Sequence, residues 1–129
     1  MSPRTVLVVE DDLLIRLILV EALQDDGYTV VQAANVLEAV AAIGRNPCFD
    51  ALVTDVDMPG HLNGLDLAGM VSSVSPLTQV VVVSGRDVCD DVGLGWAFMP
   101  KPYSLDHLLK LLETDDTSIT VAPGVASAV

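Results

Sequence analysis

Charged and hydroxyl side chains stand just after the short apolar runs of this sequence. They are three carboxylates, one hydroxyl and one ammonium group: Glu10, Asp11, Asp55, Ser84 and Lys101. Clustered carboxylates cannot all stay ionised without a cation, and hard oxygen ligands favour Mg²⁺. A carboxylate beside Mg²⁺ can attack phosphorus, while an ammonium and a hydroxyl can bind the remaining phosphoryl oxygens. The set therefore predicts a phosphoryl-transfer site with an aspartate nucleophile.

These side chains meet only if the apolar runs are neighbouring parallel strands. The strands are expected at residues 6–9, 28–33, 51–54, 79–83 and 97–99. The helices are expected at residues 13–24, 35–45, 65–74 and 105–113. Strands that are apolar throughout and alternate with helices indicate a parallel sheet covered on both faces. We predict an α/β fold, a three-layer doubly wound five-stranded parallel sheet, whose ligands bind at the carboxyl ends of the strands.

Helix boundaries carry their own signals. Asp12, Asn35 and Ser104 each stand before a helical segment, where a short polar side chain can accept from a free backbone N–H. Glu38 follows Asn35 by three residues, as in a capping box. Gly27 is expected to stop the first helix. Asp12 could also assist the acidic pair that precedes it.

Size and composition exclude several classes of protein. The chain has 129 residues, 51% of them hydrophobic and 19% charged, which is typical of one globular domain. The net charge of −12 argues against binding to nucleic acid or anionic membranes. No apolar run approaches the length of a membrane span. With two cysteines and no signal-peptide pattern, we expect reduced thiols and a cytoplasmic protein.

Four stretches in order closely resemble the response-regulator receiver domains of two-component signalling: VLVVEDD, ALVTDVDMPG, VVVVSG and FMPKPY. The resemblance covers residues 4–114 and implies the flavodoxin-like receiver fold. It implies that Asp55 is the phosphoacceptor. It also implies that Glu10, Asp11, Asp55 and the backbone carbonyl of Asp57 hold Mg²⁺ or Mn²⁺. The phosphoryl donor would be a histidine kinase or a histidine phosphotransfer protein.

The same resemblance assigns the residues that respond to the phosphoryl group. Ser84 matches the switch hydroxyl, Phe98 the switch aromatic and Lys101 the phosphoryl-binding lysine. Gly85 matches the small residue that leaves room for the phosphoryl group, and the bond from Lys101 to Pro102 would be cis. Residues 115–129 are expected to be a flexible tail without an output domain. The chain would then be a stand-alone receiver that signals to an unknown downstream protein.

The sequence departs from the family pattern in three places. Residues 85–96 are too few for two connections and a full helix, so the fourth helix of the family is expected to be short or missing, with a loop or single turn at 86–92. Trp96 would fill part of the space. The loop 59–64 is one residue longer than the commonest form. Asp57 and Arg86 occupy positions that tune phosphoryl lifetime in the family. Either they form an ion pair that slows attack by water, or they are two solvated loop charges.

The first helix carries apolar residues on two faces. At 100° per residue, one face is expected to meet the core: Ile15, Ile18, Leu19, Ala22 and Leu23. The opposite face also carries apolar residues: Leu13, Leu17 and Val20. Either this second face contacts a partner, whether a phosphodonor or a second copy in a weak homodimer, or it holds ordinary scattered surface residues. His61 and His107 lack metal-site spacing and are expected to be ordinary exposed residues.

Three alternatives keep part of this pattern. The first is a receiver that acts as an unphosphorylated adaptor. The second is a phosphohydrolase of the haloacid-dehalogenase type, because Asp55 and Asp57 resemble its nucleophile and acid–base pair. The third is a flavodoxin-like carrier of FMN, although that would need a phosphate-binding loop where Glu10 stands.

Overall fold

A five-stranded parallel sheet forms the centre of the protein. The computed structural model describes residues 4–46, 48–86, 93 and 95–113. The strands, in chain order, are β1 (Thr5–Val9), β2 (Thr29–Ala33), β3 (Ala51–Asp55), β4 (Gln79–Ser84) and β5 (Ala97–Pro100). The helices are α1 (Leu13–Asp25), α2 (Val36–Arg45), α3 (Gly64–Val74) and α4 (Leu105–Glu113). The sheet order is β2-β1-β3-β4-β5, which confirms the doubly wound α/β fold.

The strand register brings the predicted polar residues to one edge of the sheet. Val9 of β1 pairs with Thr54 of β3. The residues that follow this pair, Glu10 and Asp55, therefore lie side by side. Ser84 is the last residue of β4 and pairs with Pro100 of β5, one residue before Lys101. The alternating connections therefore deliver all three segments to the carboxyl edge, as parallel strands require.

Two apolar cores lie on the two faces of the sheet. Alternate strand residues point to opposite faces, so Leu7 packs in the core under α2 and α3 while Val8 packs in the core under α1 and α4. Leu67 of α3 and Leu108 of α4 are fully buried in these two cores. Burial of a side chain of this size contributes about 1.5–3 kcal/mol. Both helical layers are therefore anchored to the sheet that positions the site.

The predicted helix caps are confirmed. Asp12 Oδ1 accepts a hydrogen bond from the backbone N–H of Ile15 at 3.0 Å, and Asn35 Oδ1 accepts from Glu38 N–H at 2.8 Å. Ser104 Oγ accepts from the N–H of the third residue after it at 3.3 Å. The capping box predicted for Glu38 is wrong: Glu38 Oε1 accepts from the backbone N–H of Ala34 at 2.8 Å and not from that of Asn35.

The predicted orientation of α1 is only partly correct. Leu19 and Leu23 are buried as expected. Leu13 and Leu17 are exposed as expected, but Val20 is only 6% exposed and packs in the core. Ile15 and Ile18 are 37% and 50% exposed, although the core was expected to cover them.

The physical reason is that α1 has apolar residues on all sides, so hydrophobicity barely distinguishes its faces. The side that faces the sheet contains Arg16, Leu19, Val20 and Leu23. This is the i, i+3, i+4, i+7 pattern of a buried helix face, with a charged residue in its first position. Val20 is therefore not part of an exposed surface. The exposed apolar residues of the first turns, here called the α1 patch, are Leu13, Leu14, Ile15, Leu17 and Ile18.

No described residue between β4 and β5 is helical. The loop or turn predicted at 86–92 lies outside the described residues except for Arg86, as does the tail predicted at 115–129. Trp96 donates a hydrogen bond from Nε1 to Ser72 Oγ of α3 at 2.7 Å and packs against the core on that side. A Cβ on Gly93 would lie 2.8 Å from the Trp96 ring. The ring therefore takes up space beside α3. No helix in the described part of the chain is long and apolar enough to cross a membrane.

Candidate functional site

Three carboxylates meet at the carboxyl ends of β1 and β3. Oxygens of Glu10, Asp11 and Asp55 lie within 4.8 Å of one another. Glu10 and Asp55 are buried at 4% and 6% exposure, and Asp11 is exposed. Oxygen donors of this kind, two of them buried and one open to solvent, fit Mg²⁺, which keeps part of its water shell when bound to proteins. The predicted cluster is therefore present.

Lys101 lies against the two buried carboxylates. Its Nζ is 3.2 Å from Asp55 Oδ2 and 3.3 Å from Glu10 Oε1. The backbone N–H of Lys101 donates to Ser84 O at 2.8 Å, which ties β5 to the end of β4, and the bond from Lys101 to Pro102 is cis. Burial lowers the pKa of Lys101, but Asp55 and Glu10 outweigh this effect, so its pKa is raised. The side chain is therefore a stable ammonium group that faces the acidic cluster.

Glu10 has a raised pKa. Burial raises its pKa to about 7, and the like charge of Asp55 adds to the rise. The backbone N–H of Asp12, which donates to Glu10 Oε2 at 3.1 Å, and the ammonium of Lys101 act in the opposite direction. A cation bound beside Glu10 would favour the ionised form of this carboxylate and so lower its pKa. The donor set and its electrostatics thus both fit a divalent cation.

Ser84, Asp57 and Arg86 form a second group beside the cluster. Ser84 is fully buried, and its Oγ lies 3.5 Å from Asp57 Oδ2 and accepts from the N–H of Arg86 at 3.1 Å. Arg86 Nε lies 3.0 and 3.1 Å from the two Asp57 carboxylate oxygens, and Nη2 is 3.0 Å from Oδ1. Of the two alternatives for Asp57 and Arg86, the structure has the ion pair, with both side chains about half exposed. Its effect on phosphoryl lifetime stays a prediction.

Phe98 and Gly85 are the remaining residues that the resemblance assigned to the switch and to the phosphoryl pocket. Phe98 is partly buried and packs against the core on the α2–α3 side of the sheet. A Cβ on Gly85 would meet nothing within 4 Å, so open space adjoins that residue. Among the described residues, neither His61 nor His107 joins the carboxylates in a possible metal cluster.

Gly64 is a site residue that the sequence reasoning missed. A Cβ built on Gly64 would lie 1.9 Å from the backbone carbonyl oxygen of Asp55 and 3.0 Å from Thr54 Oγ1. Its N–H donates to Val56 O at 2.9 Å, so the first turn of α3 presses directly on the chain around Asp55. Only glycine fits this contact. In the sequence, Gly64 is only a glycine that follows a helix-capping residue, Asn63. This pattern does not indicate that the helix approaches the Asp55 carbonyl closely.

Arg16 is the second missed residue. Its Nη1 donates to the backbone carbonyl of Glu10 at 2.7 Å, and its Nε donates to Gln32 Oε1 at 3.1 Å. In the sequence it stands only as an interruption of an apolar run. Its inward direction follows from the rotation of α1, which hydrophobicity did not predict.

An apolar groove runs from the α1 patch to Lys101. It has a volume of about 490 Å³, and its walls come from α1, the segment after β5 and the start of α4. The residues that line it are Ile15, Ile18, Leu19, Lys101, Pro102, Tyr103 and Leu105. An exposed apolar surface therefore continues to the ammonium group that contacts Asp55.

The sheet order and the buried acid–lysine cluster together match the class of receiver domains. Comparison with known proteins agrees. The chain belongs to the response regulator receiver domain family, which matches residues 6–113. That assignment sets aside the haloacid-dehalogenase and flavodoxin alternatives.

Relatives and solved structures extend this result. Over 116 residues the chain is 32% identical to the transcriptional regulatory protein PdtaR of Mycobacterium tuberculosis, covering 86% of this chain and 56% of PdtaR. The chain spans about half the length of the curated relatives that it matches first. The chemotaxis protein CheY4 of Vibrio cholerae is 27% identical with a TM-score of 0.75, covering 87% of this chain and 98% of that one. A receiver protein from Sinorhizobium medicae shares the fold with a TM-score of 0.81, at 20% identity, over 89% and 98% of the two chains.

Proposed function

We propose that this receiver is a cytoplasmic response regulator that accepts a phosphoryl group on Asp55 in a Mg²⁺-dependent reaction. The donor is the phosphohistidine of a kinase or a phosphotransfer protein, and the signal passes on by protein–protein contact. The observation that carries the proposal is the buried contact of Lys101 with Asp55 and Glu10 beside an open Asp11.

Each residue of the cluster has a separate task in this proposal. A carboxylate oxygen of Asp55 attacks phosphorus, and the bond from phosphorus to the donor imidazole nitrogen breaks as the new oxygen–phosphorus bond forms. Glu10, Asp11, Asp55 and the Asp57 carbonyl would hold Mg²⁺, which supplies positive charge to the phosphoryl oxygens. Lys101 and the Ser84 hydroxyl donate to those oxygens. Ser84 then exchanges its 3.5 Å contact with Asp57 for the phosphoryl group.

The α1 patch and the groove beside Lys101 are the proposed docking surface for the phosphodonor. The patch exposes five large apolar side chains on the first turns of α1, next to the carboxyl edge of the sheet. Apolar surface that continues to a reactive site is typical of a protein-binding face. Leu13 and Leu17 belong to this surface, and Val20 does not.

Intact-mass measurement after incubation with Mg²⁺ and acetyl phosphate tests the proposal. We expect the parent protein to gain the mass of one phosphoryl group. Asp55→Asn should not gain it, nor should the parent in excess chelator. Asp25→Asn, which removes an exposed carboxylate at the far end of α1, should behave as the parent. If neither acetyl phosphate nor a phosphorylated phosphotransfer protein modifies Asp55, the adaptor alternative replaces this proposal.

A further inference from the structure

Arg16 is the exception on the first turns of α1. Of residues 13–18, the other five are exposed, whereas Arg16 is partly buried and directed to the protein. A long charged side chain on a helix surface normally extends to water. Arg16 instead directs two of its donors to the protein, one to the partly buried carbonyl of Glu10 and one to the exposed side chain of Gln32 on β2.

The Glu10 carbonyl belongs to the peptide group that joins Glu10 to Asp11. The same residue donates its own N–H to Ala33 O at 3.1 Å. Both polar groups of the Glu10 backbone are therefore held, one by β2 and one by the guanidinium. One donor of the planar guanidinium holds the Glu10 carbonyl while a second is held by Gln32. This second anchor restricts the orientation of that peptide more than a single flexible donor would.

We propose that Arg16 is a positioning residue for the metal site. By fixing the peptide between Glu10 and Asp11, it sets the directions in which their two carboxylates leave the backbone. The inference rests on the proposed function, since it assumes that these carboxylates bind Mg²⁺. Groups that orient metal-binding side chains typically change metal affinity about 10- to 100-fold when they are removed.

A charge effect of Arg16 and a positioning effect predict opposite changes in Mg²⁺ affinity when Arg16 is removed. A guanidinium near a cation site repels the cation, so its removal should tighten Mg²⁺ binding if only its charge matters. If Arg16 holds the peptide, removal should weaken Mg²⁺ binding. A purely structural role would lower the stability of the fold and leave the Mg²⁺ affinity unchanged.

Calorimetric titration of the full chain with Mg²⁺ alone distinguishes these cases. We expect Arg16→Gln to bind Mg²⁺ about tenfold more weakly than the parent. Arg16→Lys, which keeps the charge and loses the paired donors, should also bind more weakly. Arg45→Gln removes an exposed arginine from the last turn of α2 at the opposite edge of the sheet, and it should keep the parent affinity. Urea unfolding without metal shows whether each variant is folded.

Equal or tighter Mg²⁺ binding by folded Arg16→Gln overturns the inference. If Arg16→Gln does not fold, Arg16→Lys decides, and parent-like affinity in that variant also overturns it. A parent protein that binds no Mg²⁺ removes the metal site of the proposed function together with the role of Arg16. A parent that binds Mg²⁺ and an Arg16 variant that matches it contradict the role of Arg16 alone.

Discussion

The carboxyl edge of the sheet has a buried half and an exposed half, and each contains an ion pair of similar length. In the buried half, Lys101 lies 3.2 Å from Asp55, whose side chain is 7% exposed. In the exposed half, Arg86 lies 3.0 Å from Asp57, and both side chains are more than half exposed. The shorter contact is the weaker one in free energy, because water solvates and screens its charges. Water does not solvate buried charges in this way, so the loss of a partner lowers the free energy of unfolding much more. Burial, and not distance, therefore ranks these contacts.

The largest expected effect comes from the packing of the buried half. Gly64→Ala places a methyl group 1.9 Å from the Asp55 carbonyl, so the backbone of one element must move. We expect a loss of about 3 kcal/mol in the free energy of unfolding, measured in urea, since overpacking of this kind costs that order. Gly69→Ala is the matched control in the same helix, because a Cβ there meets nothing within 4 Å. It should stabilise the protein by about 0.5–1 kcal/mol.

The second largest effect is expected when the ion pair of the buried half is broken. Lys101→Met leaves Glu10 and Asp55 without their ammonium partner. In metal-free buffer we expect a loss of about 2 kcal/mol in the free energy of unfolding, because the buried carboxylates lose their partner while the Lys101 side chain is itself partly exposed. Added Mg²⁺ should recover part of this loss. Lys110→Met, on the exposed side of α4, is the control and should change stability by less than about 0.5 kcal/mol. Equal losses in the two variants would show that the buried half is no more sensitive than the surface.

Loss of the ion pair in the exposed half should change the stability of the protein little and the lifetime of the phosphoryl group more. Arg86→Ala removes an ion pair worth about 0–1 kcal/mol. We expect the phosphoryl group to leave Asp55 several-fold faster than in the parent, because the pair no longer obstructs the approach of water. The decay of the phosphorylated mass peak measures this rate. Asp57→Ala should accelerate the loss as much as the double variant does. A slower loss in Arg86→Ala would contradict the role of the pair.

The smallest effect on stability is expected on the α1 patch. Leu17 is 46% exposed, so Leu17→Glu should change the free energy of unfolding by less than about 0.5 kcal/mol. Phosphotransfer from a phosphorylated donor protein should nevertheless slow, since an apolar docking residue becomes charged. The rate with acetyl phosphate, which needs no docking face, is the internal control. If the transfer rate and the oligomeric state both stay unchanged, the patch is not a binding surface.

The amino-acid sequence predicted the fold and the carboxylate–lysine cluster well, because both depend on the spacing of the strands and helices along the chain. Continuous apolar strands separated by helices leave few arrangements other than a parallel sheet, and such a sheet brings Glu10, Asp55 and Lys101 to one edge. The proposed roles of these residues in phosphoryl transfer came mainly from family resemblance. The rotation of α1 was not predictable, because a helix that is apolar all round carries little information about its buried face.

Gly64 and Arg16 were missed for a different reason. Both act on backbone carbonyls, that of Asp55 for Gly64 and that of Glu10 for Arg16. Side-chain chemistry is visible in a sequence, whereas contacts with a carbonyl depend on distances that only the folded chain defines. A glycine and an arginine in ordinary helical contexts therefore gave no signal.

The anchoring of Trp96 gives the protein a built-in optical probe. Trp96 is the single tryptophan of the sequence, and its indole N–H is bound to Ser72 on α3. Indole fluorescence of this protein therefore reports from one location, where the segment before β5 meets α3. Any rearrangement there changes the emission without the need for a label.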